Sequence, residues 1–81
     1  MSPINHPKQI GAAVLARRKT LGLSQARVAE RLGLSQNRIS ELENRPETMT
    51  VQQLIALANL LGLDIAISDR KLPSGKEAVA R

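Results

Sequence analysis

A chain of 81 residues can form one small domain at most, and with no cysteine and a single histidine, His6, it has neither a disulfide nor a metal cluster to brace it. The formal net charge is +5, and the complete absence of Phe, Tyr and Trp removes the stacking platforms on which single-stranded nucleic acid is held. A basic chain of this kind suits duplex DNA, the bland alternative being a basic surface kept only for solubility.

The charge is uneven along the chain. Residues 1–45 carry eight basic and three acidic side chains, whereas from Pro46 onward four of each cancel. A polyanion partner is therefore expected at the first half. The opening Met1-Ser2-Pro3-Ile4-Asn5-His6-Pro7 lacks the basic-then-apolar pattern of a secretory leader, and no apolar run reaches the ~18 residues of a membrane span, so a cytoplasmic protein is expected. No nucleophile–base pair or phosphate loop is visible: Ser74-Gly75-Lys76 lacks the upstream glycine of a P-loop. Neither enzymatic activity nor a cofactor or metal is expected.

After the lead of residues 1–7, a first helix is predicted over Lys8–Thr20, with Ile10, Val14 and Leu21 at helical spacing and Gly22 as its C-terminal cap. Ser24 caps a second helix whose stripe is Val28, Ala29 and Leu32, ending at Gly33. Ser35 caps a third, with Ile39 and Leu42 inward, before Asn44-Arg45-Pro46 breaks it. Two short helices joined through a glycine form a helix-turn-helix unit. Thr50-Val51-Gln52-Gln53 reads as a capping box for a fourth helix bearing Val51, Leu54, Ile55, Ala58 and Leu61. At Gly62 the pattern changes from helical to alternating, with Leu63, Ile65 and Ile67 interleaved by Asp64, Ala66 and Ser68. That predicts one strand over residues 63–69, and a lone strand in a helical chain invites pairing with its counterpart in a second copy. A loose segment packed on its own core is the alternative. Residues 70–81 are polar and read as a disordered tail.

Positions on the third helix suggest a mechanism. With Ile39 and Leu42 facing inward, Asn37, Ser40, Glu41 and Asn44 face outward and Gln36 and Arg38 lie on the flanks. The major groove admits one helix, so Gln36 and Asn37 can pair with adenine and Arg38 with guanine or phosphate. Ser35 and Ser40 complete this set, with Gln25, Arg27, Asn44 and Arg45 as phosphate contacts. Glu41 is open between accepting from cytosine and pairing with Arg45 at i, i+4. Glu43 would be repelled by DNA and needs a basic partner inside the protein.

The stretch from Leu23 to Asn44, LSQARVAERLGLSQNRISELEN, resembles the Cro and phage-repressor (XRE) family, whose pattern LSQxxVAxxLGxSQxxISxLE it follows. The resemblance covers roughly Lys8 to Gly62. It implies an all-α, four- to five-helix lambda-repressor-like domain over residues 8–62, a third helix that reads bases, Gln25 and Gln36 interacting with each other and with DNA, and an internal ion pair between Arg18 and Glu43. Leu61-Gly62-Leu63-Asp64-Ile65-Ala66-Ile67-Ser68-Asp69 resembles the C-terminal strand of HipB antitoxins. That implies a homodimer closed by a two-stranded ribbon through Leu63, Ile65, Ala66 and Ile67, a palindromic operator, autorepression, and a HipA-like kinase toxin as partner. The ending Ala78-Val79-Ala80-Arg81, without an aromatic residue, departs from that resemblance. A stand-alone XRE-type regulator without a toxin is the alternative, and a scaffold with an incidental basic face a third.

Overall fold

The structure, a computed structural model, describes residues 3–70. It contains four α-helices in chain order: α1 (Pro7–Thr20), α2 (Gln25–Leu32), α3 (Gln36–Asn44) and α4 (Val51–Leu61), with a 3-10 turn at Pro46–Thr48 between the last two. The polar caps do their local work at each start. Ser24, Ser35 and Thr50 accept from the backbone N–H groups of Arg27, Arg38 and Gln53, each at 3.0 Å, and Gln53 returns its Oε1 to the Thr50 N–H at 3.0 Å. The first helix is capped by a residue that the sequence pattern did not single out. His6 Nδ1 accepts from Lys8 N–H at 3.1 Å while Gln9 Oε1 accepts from His6 N–H at 2.9 Å, a reciprocal box built on imidazole rather than hydroxyl. Gly33 ends α2 in the left-handed region at φ 69°, which lets the chain reverse tightly into α3.

Val14, Val28, Ala29, Ile39, Leu42, Leu57 and Leu61 form one buried cluster, flanked by partly buried Ile10, Leu23, Leu32, Leu34, Met49, Leu60 and Leu63. The expected stripes on α2 and α3 are the ones turned inward. Two others differ. Past Val14 the inward position of α1 belongs to Arg18, which is buried, whereas Leu21 is exposed. On α4 the core face is Leu57, Ala58 and Leu61, with Leu54 half-buried. Val51 and Ile55, expected in the stripe, are 72% and 49% exposed. A helix without charged residues has no strongly polar face to orient it, so its inward side is set by how it packs against the other helices.

Residues 63–70 form no helix, and no strand is present among the described residues. Leu63 N–H donates to Ala58 O at 2.8 Å, completing the α4 cap, and beyond it Ile65 and Ile67 are exposed. Of the predicted tail only Arg70 lies within the described residues. No helix is long and apolar enough to cross a membrane among them.

Gly11 lies where α1 crosses the end of α3. A Cβ placed there would run into the Glu43 carbonyl oxygen and come within 3.1 Å of Pro46 Cγ. Alanine ordinarily stabilises a helix by about 1 kcal/mol over glycine. Here overpacking against backbone costs about 1–3 kcal/mol and should win. Gly11→Ala is therefore expected to destabilise the domain, measured as a lower urea midpoint with unchanged slope.

Candidate nucleic-acid interface

The third helix is held from within before it presents anything outward. Glu43, in its last turn, has a side chain only 4% exposed. Its carboxylate takes a forked bond from Arg18 of α1, Nε to Oε2 at 2.6 Å and Nη2 to Oε1 at 3.2 Å, and a third from Gln25 Nε2 at 3.0 Å. Arg18 Nη1 donates onward to Leu23 O at 2.9 Å. The charge is thus neutralised and its oxygens occupied, and among the described residues no buried side-chain nitrogen or oxygen lacks a partner. Arg17 ties the other side, donating from Nε to Leu61 O at 2.8 Å, the end of α4.

Gln25 donates its amide to Glu43 and makes no hydrogen bond to Gln36 among the described residues, unlike the mutual contact implied by the resemblance. Arg38 is also occupied. Its guanidinium donates to Glu41 Oε1 at 2.7 Å, Thr48 Oγ1 at 3.1 Å, Thr48 O at 2.8 Å and Gln53 Oε1 at 3.0 Å. Glu41 therefore pairs with Arg38 at i, i+3, and Arg45 turns toward Glu47 at 3.8 Å instead.

What remains outward is polar and largely uncharged. Gln36 and Asn37, in the first turn of α3, are exposed, and their side chains take part in no hydrogen bond among the described residues. Ser40 and Asn44 lie one turn apart, Asn44 Nδ2 donating to Ser40 O at 3.0 Å and to Ser40 Oγ at 3.4 Å. Ser35 is occupied as the cap. Arg27 and Arg45 are exposed guanidiniums in loose pairs with Glu30 at 3.4 Å and Glu47 at 3.8 Å. Surface pairs of this kind contribute only about 0–1 kcal/mol, so either cation can exchange its partner for phosphate at little cost. Amides that both donate and accept, on a helix start flanked by releasable cations, are suited to base edges and to the phosphates beside them.

A second surface, of mixed apolar and polar lining, lies on α4 and the segment after it. Ile55, Ala58, Asn59, Leu63, Asp64 and Ile65 line an open groove there. Val51 beside it on α4 is exposed, and Ile67 beyond it is 97% exposed.

The helix order and the capped turn between α2 and α3 define a helix-turn-helix DNA-binding domain. Residues 14–67 match the helix-turn-helix family, and the chain belongs to it. It is similar to a chain of a HipA–HipB–O2–O3 complex, at 28% identity over 88% of this chain and 100% of that one, with a TM-score of 0.78. A complex of a HipB variant with an O2 20mer gives 30% identity over 88% and 99%, with a TM-score of 0.77. A structure described as an XRE family transcriptional regulator gives 35% identity over 90% and 88%, with a TM-score of 0.65. No curated protein matches the sequence. The chain is a DNA-binding regulator of the XRE type, a non-enzymatic family.

Removing one member of the buried pair should be severe. Arg18→Met leaves the Glu43 carboxylate buried without its cation, which costs about 3–5 kcal/mol, a large share of the ~5–15 kcal/mol by which a domain is stable. The double variant Arg18→Met/Glu43→Leu should recover much of that loss. Urea unfolding of the two variants side by side measures both values.

Proposed function

We propose that the protein is a homodimeric repressor that binds a palindromic operator and serves as the HipB-like antitoxin of a HipA-like kinase toxin. The observation that carries the DNA part is the pair of free amides, Gln36 and Asn37, at the exposed start of α3. In this reading Gln36, Asn37 and Ser40 meet base edges, and the N-terminus of α2 with Gln25, Arg27, Ser35, Asn44 and Arg45 fixes the register on the phosphates. The similarity to a chain of a HipA–HipB complex over its full length supports the antitoxin role. A stand-alone regulator draws its support from the XRE family regulator at 35% identity. A HipA-like reading frame beside this gene, and a complex formed between the two purified products, decides between them.

The dimer rests on the exposed face of α4 with residues 63–69. Two copies related by a two-fold axis pair these segments antiparallel and cover Ile65 and Ile67. They set two recognition helices into successive major grooves about 34 Å apart.

Asn37→Ala should cost about 1–3 kcal/mol on the preferred duplex and relax selectivity at a single position of each half-site, read by binding to a library of single-base variants. Weakening spread evenly over every sequence would place Asn37 away from the bases. Ile67→Lys should sediment as a monomer and bind the operator about 10²-fold or more weakly, because the two half-sites are no longer engaged together. An unchanged sedimentation coefficient would remove the segment from the interface.

A further inference from the structure

Arg38 is the one cation on the recognition helix, and a cation there is ordinarily read as a ligand for guanine or phosphate. Its surroundings argue for a different task. The guanidinium makes four hydrogen bonds inside the protein, to Glu41, twice to Thr48 and to Gln53, and its side chain is only 24% exposed. These partners lie on three elements. Glu41 belongs to α3, Thr48 to the 3-10 turn and Gln53 to the first turn of α4. The latter two are themselves fixed: Thr48 Oγ1 donates to Arg45 O at 2.8 Å, and Gln53 Oε1 also accepts the Thr50 N–H of the α4 cap at 3.0 Å. A planar fork with fixed donors can bridge such a set, whereas the point charge of a lysine cannot. Reaching a phosphate would exchange these bonds for a bidentate pair at best.

We propose that Arg38 is a positioning residue of the recognition helix rather than a DNA ligand. It clamps the N-terminal half of α3 to the start of α4, and so sets the angle at which Gln36 and Asn37 meet the groove. It also pairs with Glu41 on the same helix, so its charge is met within the protein. The cap of α4 and the aim of α3 then form one connected polar lattice. The inference rests on the DNA-binding reading above, and its test separates the two.

The probe is the duplex enriched by the wild-type protein from a random duplex library of about two helical turns, set against a scrambled duplex of the same composition. Removing one phosphate-neutralising cation from a DNA interface flattens the slope of log affinity against log salt by about 0.9. For a clamp, Arg38→Met leaves that slope unchanged and lowers affinity for the enriched duplex about tenfold, with scrambled DNA bound nearly as before, since only aimed side chains discriminate. Arg38→Lys preserves charge and folding should the methionine variant fail to fold, and it shows the same drop in selectivity. A slope flattened by about 0.9 with equal weakening on both duplexes in Arg38→Met, or full selectivity in Arg38→Lys, overturns the clamp while leaving the DNA-binding reading intact. If the wild-type protein enriches no duplex at all, that reading falls and the clamp with it.

Discussion

A carboxylate buried in the last turn of the helix meant to face a polyanion is the constraint around which this domain is arranged. Glu43 could be neither exposed to DNA without repulsion nor left dry without a cation. The fork from Arg18 resolves both, and it does so from α1, 25 residues away. That single ion pair fixes the distance between α1 and the end of α3. The close crossing at Gly11 follows from it, because the Glu43 carbonyl of the same residue rests against the glycine backbone. Gln25 joins the carboxylate from α2, so three helices meet on one acidic side chain. Apolar burial of Ile39 and Leu42 supplies attraction without direction, and the forked, charge-assisted bonds supply the direction.

How far the fold was legible depended on the kind of signal. Ser24, Ser35 and the Thr50–Gln53 box mark helix starts by chemistry confined to three or four residues, and the glycines mark ends by backbone conformation. Val28, Ala29, Ile39 and Leu42 are set among charged and polar neighbours, so their side is unambiguous. On α4, where none of the 11 residues from Val51 to Leu61 is charged and most are apolar, periodicity could not separate Leu57 from Ile55. Leu21 looked like the next member of a stripe that Arg18 in fact continues, because a buried arginine reads as a surface one until its partner is known. His6 escaped notice as a cap, since imidazole is an uncommon choice for that position.

The candidate site divides in the same way. Helical phase alone assigns Asn37 outward and Gln36 to a flank, and both are exposed. Arg38 sits only one residue further, yet its four bonds depend on where Thr48 and Gln53 arrive, and that is a matter of tertiary placement across 10 and 15 residues. Phase tells which side a residue is on. It does not tell which polar residues are already taken.

That distinction governs how a small domain can recognise DNA. A polar group whose donors are spent on holding the helices has few left for the groove. Here Arg18, Glu43 and Arg38 are committed internally, while uncharged amides face out with cations only in weak, exchangeable pairs beside them. Each free amide immobilised on binding costs about 0.5–1.5 kcal/mol of rotamer freedom, so the helix that carries them has to be fixed beforehand. The number of base contacts on one short helix is nonetheless small, and selectivity at the scale of a genome needs more than three or four of them. A second copy is the direct way to double the count. The exposed Val51, Ile55 and Ile67 lie on α4 and the segment after it, whereas Gln36 and Asn37 lie on α3, so the proposed joining surface and the proposed reading surface are built from different elements.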